Sequence, residues 1–134
     1  MGIDAIVDKL LQVLLPKRQG ALKKRRPERK GVFSDWQHRY FVLQGKFLFY
    51  YDCDGRNARG PTFKGLIGVR TISDILPVLD DSTAFRVACP DRNLYLRAKS
   101  AEDAAAWIRS LKSARDLLTG GRMANANMSG QNFT

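Results

Sequence analysis

At 134 residues, 44% of them hydrophobic and 27% charged, the chain has room for one domain with one continuous core and little to spare for a second. No apolar run approaches the ~18 residues that cross a bilayer, and Asp4 and Asp8 interrupt the N-terminus where a secretory leader needs an unbroken apolar stretch. Two cysteines, Cys53 and Cys89, are too few for a disulfide framework or a cysteine-rich zinc site, and read as reduced thiols of a cytosolic protein. The net charge of +10 is the unusual property, and it points to an anionic partner, nucleic acid or an acidic membrane. Ten bases lie between Lys17 and Lys46 with only Glu28 and Asp35 against them, so one face carries most of the excess.

Residues 3–15 place Ile3, Ile6, Val7, Leu10, Leu11 and Leu14 at helical spacing, with Asp4 at the start and Pro16 as a stop. Such a short amphipathic helix is marginal alone, so its stripe is expected to be covered. From Gly20 the period shortens to two. Gly20–Lys24 opens a strand; Trp36–Leu43 alternates, turns at Gln44-Gly45, and returns through the aromatic run Lys46–Tyr51. Further strands are predicted at about 63–69, 75–80, 84–89 and 94–99, with Asp80-Asp81-Ser82 and Pro90-Asp91-Arg92-Asn93 as turns. Ser100 then caps a helix carrying Ala104, Trp107, Ile108, Leu111 and Leu118 on one face, and Gly120-Gly121 ends it. The Asn-, Ser- and Gly-rich remainder reads as a disordered tail.

Gly20-x-Leu22-x-Lys24, Trp36-x-x-Arg39-Tyr40-Phe41-Val42-Leu43, Leu48-Phe49-Tyr50-Tyr51, Lys64-Gly65-Leu66-Ile67, Phe85-x-Val87 and Ala105-Ala106-Trp107-Ile108, in this order, resemble the successive strands and helix of the pleckstrin homology (PH) domain family. The resemblance covers about residues 18–118. It implies a mainly β fold: a seven-stranded antiparallel barrel or sandwich capped by a C-terminal α-helix, here with an extra N-terminal amphipathic helix. The expected division is a helix over 1–16, the PH domain over 17–119 and a tail over 120–134.

The resemblance also implies a site. Lys24 and Arg39 fit the family's inositol-phosphate pattern, whereas Gln37 stands where tight binders carry a second base. The loop 23–30 adds Arg25, Arg26, Arg29 and Lys30, and Arg grips phosphate oxygens bidentately while Lys acts as a mobile point charge. Lys46, Tyr50 and Lys64 occupy positions where the family sometimes adds head-group contacts, with ordinary surface roles as the alternative. Val32-Phe33, next to the basic cluster, either inserts into the interfacial region of a membrane or folds over the barrel mouth. Trp36 and Trp107 are expected in the core. His38 has no metal-binding or catalytic company.

The resulting expectation is a lipid-binding, membrane-targeting module, cytoplasmic and peripheral, that docks on phosphoinositides or another anionic lipid such as phosphatidic acid. Modest affinity and loose selectivity follow from Gln37. The alternative is a protein-interaction adaptor that binds an acidic partner or self-associates through residues 3–15, whose polar face of Asp4, Asp8, Lys9 and Gln12 lacks the basic character of a membrane-surface helix. Specific nucleic-acid binding is not expected, because no RNA-binding motif is present. Neither catalysis nor a cofactor is expected: the sequence offers no paired carboxylates, no nucleophile beside a base and no phosphate-cradling glycine loop. Gly2 begins an imperfect myristoylation signal, with Ile6 where Ser or Thr is usual.

Overall fold

The computed structural model describes residues 2–25, 36–52 and 60–120. Arg26, Arg29, Lys30, Val32, Phe33 and the tail beyond Gly120 lie outside these residues. The chain forms α1 (Ile3–Leu14), β1 (Arg18–Arg25), β2 (Trp36–Gln44), β3 (Phe47–Asp52), β4 (Thr62–Gly68), a single 3-10 turn (Val69–Thr71), β5 (Asp74–Val78), β6 (Asp81–Ala88), β7 (Asn93–Arg97) and α2 (Ala101–Leu118). All seven strands belong to one antiparallel sheet in the order β4-β3-β2-β1-β7-β6-β5.

Alternation of side chains sets the two faces. Leu22 on β1, Phe41 and Leu43 on β2 and Leu48 on β3 turn inward and are buried, together with Phe85, Val87, Leu94 and Leu96 from β6 and β7. Gly45, at φ +61°, makes the tight β2–β3 turn that an L side chain would strain. Register then separates the two ends of the barrel. Arg25 pairs with Trp36 at one end of β1–β2 and Arg18 with Leu43 at the other, a run of roughly 25 Å at the strand rise.

The helix α2 packs across β5, β6 and the 3-10 turn and closes the second end. Ser100 caps it, its Oγ accepting from the Asp103 N–H at 3.0 Å. Trp107 fills the space beneath the sheet at 1% exposure. Above its ring, at 5.4 Å, lies the Arg18 guanidinium, which also pairs with Asp103 and so ties the start of β1 to the first turn of α2.

Three expectations are corrected. Asp81 and Ser82 open β6 rather than forming a turn, because Val78 pairs directly with Asp81 and the turn contracts to Leu79-Asp80. Trp36 is half-buried at the rim, under the Arg97 guanidinium at 4.4 Å, and not in the core. The stripe of α1 is uncovered among the described residues, since no residue of that helix is buried and only Leu11 packs against the core.

The rim is fastened by charge. Arg97 Nε and Nη2 donate to Asp81 Oδ2 at 3.1 and 2.9 Å, while Asp81 Oδ1 accepts from the Thr83 N–H and hydroxyl at 3.0 and 2.6 Å. The Thr83 hydrogen bonds, and then Arg97, hold the Asp81 carboxyl below its usual 3.8. A depressed carboxylate stabilises the fold above its unfolded value and loses that contribution as pH falls through the folded one. Asp81→Asn is therefore expected to lower the urea midpoint at neutral pH, with the gap to the wild type closing below about pH 3.8. Denaturation series at several pH values measure this, and a constant gap would contradict it.

Candidate anion-binding site

Lys24, Gln37 and Arg39 share the inward face of β1 and β2 with Leu22 and Phe41, but sit nearer the β1–β2 loop. They rim the mouth of the barrel rather than its core. Tyr50 on β3 forms the floor: it is buried, stacks on Phe41 with ring centroids 5.4 Å apart, and carries the Lys24 ammonium 5.7 Å from its own centroid. Gly65 on β4 permits this placement, since a Cβ there would lie 2.6 Å from the Tyr50 hydroxyl oxygen.

A third base comes from the β6–β7 connection. The turn at 89–92 is closed by the Cys89 N–H donating to the Arg92 carbonyl at 2.9 Å. From it the Arg92 guanidinium reaches across, donating from Nη1 to the Tyr50 hydroxyl at 3.4 Å and from Nη2 to the Leu66 carbonyl at 3.1 Å. From sequence alone Arg92 reads only as a residue of the Pro90-Asp91-Arg92-Asn93 turn. The signal that would have found it is a base in the turn between two of the later strands, a connection that the antiparallel order returns to the end bearing the β1–β2 loop.

Electrostatics at the mouth are one-sided around Lys24. Burial lowers its pKa first, and the positive charges of Arg39 and Arg92 lower it further. Arg39, its side chain 14% exposed, has an acidic neighbour in Asp52 at 3.6 Å and donates to the His38 carbonyl at 2.8 Å. A phosphate entering here would relieve the repulsion on the lysine and replace the water it has lost. Cys89, beside the same turn, is held as a thiol by burial, which raises its pKa.

Lys24 and Arg39 thus come together, joined by Arg92. Arg25 is exposed at the end of β1 beside this mouth. Tyr50 proves to be a core floor whose hydroxyl meets Arg92, not a surface contact. Lys46 lies in the β2–β3 turn, at the far end of β2 from the mouth, and the structure does not bring it to this cluster. Lys64 is exposed in β4 at the bulge next to Gly65, without a contact to the three bases. Arg26, Arg29, Lys30, Val32 and Phe33 lie outside the described residues.

This sheet order, helix and mouth define a small β-barrel binding module. The family model for the PH domain matches residues 16–116, and the chain belongs to that family. It is 34% identical over 90 residues to a zebrafish (Danio rerio) pleckstrin homology domain-containing family A member 8, covering 66% of this chain and 16% of the relative. To a RAC family serine/threonine-protein kinase homolog of Dictyostelium discoideum it is 31% identical over 93 residues, covering 68% of this chain and 20% of the relative. The chain therefore spans a fifth or less of the length of these two relatives. Among solved structures it resembles the C-terminal PH domain of pleckstrin in complex with D-myo-Ins(1,2,3,5,6)P5, with TM-score 0.60 and 25% identity over 73% of this chain and 93% of the other. PH domains are commonly lipid-binding or protein-interaction modules. Among the described residues, no helix is long and apolar enough to cross a membrane.

Proposed function

We propose that this PH domain targets a membrane surface by binding the phosphates of anionic lipid head groups, phosphoinositides foremost, at the barrel mouth. The convergence of Lys24, Arg39 and Arg92 over the Tyr50 floor carries this reading. A half-buried lysine crowded by two guanidinium groups is a poor arrangement for stability and a good one for holding phosphate. The pleckstrin domain's inositol pentakisphosphate complex supports the ligand class. Arg25, with Arg26, Arg29 and Lys30, adds attraction to the leaflet, each base near it worth about 1 kcal/mol. Val32 and Phe33 supply interfacial insertion, and Lys64 is a peripheral contributor. Gln37, opposite Lys24 in the ladder, brings an amide where a base would strengthen the grip, so affinity is modest and selectivity loose.

Vesicle sedimentation at two salt concentrations tests this. Binding to vesicles containing phosphoinositide or phosphatidic acid is expected to weaken as salt rises. Removing the two charges with Arg25→Ala/Arg26→Ala should weaken it on the order of 30-fold, and reversing them should weaken it further. Equal binding to neutral phosphatidylcholine vesicles would refute the reading.

A second reading, a protein-interaction adaptor, is favoured by the outer face of β3–β4. There Phe47, Phe63 and Leu66 are exposed, Phe47 against Phe49 and Phe63 against Tyr51, each pair 5.7 Å between ring centroids. A stoichiometric co-purifying partner without vesicle binding would establish this instead.

A further inference from the structure

The helix α1 presents more apolar surface than its own domain uses. Leu11 packs on the core and Leu15, one turn on, is buried in it, which pins the C-terminal end of the helix. On a 3.6-residue wheel Ile3, Ile6, Val7, Leu10, Val13 and Leu14 form an adjacent stripe. All six are exposed, from 45% at Val7 to 81% at Val13. The spacing Ile3–Ile6–Leu10–Val13 alternates three and four residues, the repeat of a helix–helix seam, and Val7 and Leu14 widen it.

We propose that this stripe is a self-association surface, α1 packing against α1 of a second copy of the chain, at the end of the barrel remote from the phosphate-binding mouth. Position favours a second copy over a lipid surface. The helix joins β1 at Arg18, the end opposite Arg25, so a domain docked through its mouth holds the C-terminal end of α1, pinned by Leu11 and Leu15, away from the bilayer. Charge favours it as well. Two chains of net charge +10 repel each other, yet α1 carries only Asp4, Asp8 and Lys9 and is slightly acidic, the segment on which copies approach with least repulsion. An anionic leaflet, in contrast, gains nothing from that face. Area suits a weak dimer rather than a tight one: six exposed apolar side chains along one helix cover less than the ~800 Å² per partner of a standard interface. Resting on the lipid reading, one consequence follows: pairing presents two mouths together, and the second engages at a high effective concentration.

Sedimentation velocity on the full 134-residue chain, without lipid, tests the pairing. The mass is expected to rise from 15.1 kDa toward twice that value as concentration increases from low to high micromolar. Ile6→Lys/Leu10→Lys should hold it at the monomer mass at every concentration, with thermal unfolding that matches the wild type at low micromolar concentration, where both are monomeric, since both side chains are exposed. Asp8→Ala, on the opposite side of the helix, should leave the rise intact. A wild type monomeric throughout, or a double variant that still dimerises, would overturn the proposal. So would loss of binding to neutral vesicles in the double variant of a monomeric wild type, which would assign the stripe to lipid. Because no vesicle enters the mass measurement, its failure and that of the head-group reading are separable.

Discussion

Trp107→Ala is expected to remove about 3–5 kcal/mol of folding stability. Trp107 is 1% exposed, lies in the same core as Leu111, Phe85 and Leu96, and carries the Arg18 guanidinium on its ring. Alanine would leave a cavity bounded by a sheet whose strands are fixed by their ladder and by a helix tied through Asp103 to β1, so the walls cannot collapse to fill it. Because domains of this size have only about 5–15 kcal/mol in total, the loss is a large fraction of the folding stability. Urea denaturation should show the midpoint displaced by roughly 2–3 M, while Leu79→Ala, at a side chain 102% exposed in the β5–β6 turn, should leave it in place. A Trp107→Ala midpoint equal to the Leu79→Ala midpoint would mean that the helix does not close this core.

Lys24→Met should separate binding from stability in opposite directions. The ammonium is half-buried, and burial together with Arg39 and Arg92 lowers its pKa. The sign for stability follows: a group whose folded pKa is depressed opposes folding while it is charged, and the opposition disappears only as pH rises through the folded pKa into the alkaline range. Methionine keeps the stem over Tyr50 and removes the charge. The domain should then gain about 0.5 kcal/mol at neutral pH, a small figure because the half-exposed charge is screened, and the gain should vanish in alkali as the wild-type lysine deprotonates. Binding should respond the other way. Loss of one charge-assisted hydrogen bond to phosphate removes about 1.5–3 kcal/mol, a weakening on the order of 10- to 100-fold for acidic vesicles. Thermal unfolding and vesicle sedimentation on the same preparation read both quantities. A variant that binds as the wild type does would remove Lys24 from the site, and one that loses both binding and stability would make the lysine a structural residue.

The strands and α2 were legible because their signals are local. Trp36–Leu43 alternates and ends at a glycine turn; Ser100 and the Trp107 face announce a helix by spacing alone. The site was legible in part. Lys24 and Arg39 stand out because each keeps the inward parity of an apolar neighbour, Leu22 or Phe41, two residues away. Lys46 could have been set aside from sequence, since it follows a nine-residue strand that begins at the basic loop and carries it to the other end of the barrel. Arg92 could not be ranked above other turn residues without the sheet order.

What the sequence by itself determined is a basic chain of short antiparallel strands followed by the Trp107 helix, with its charge gathered on one segment and its motifs in the order that resembles the PH family. Those features depend on residues near one another along the chain, where side-chain period and turn chemistry act directly. The tertiary structure alone decided which bases converge. Lys24, Arg39, Tyr50 and Arg92 belong to three strands and a turn, and their meeting depends on the cross-strand register and the return of β7 to β1. It also decided that Tyr50 is a floor and that the α1 stripe faces outward, because local period says only which side chains share a face, and whether that face is covered depends on what packs opposite it.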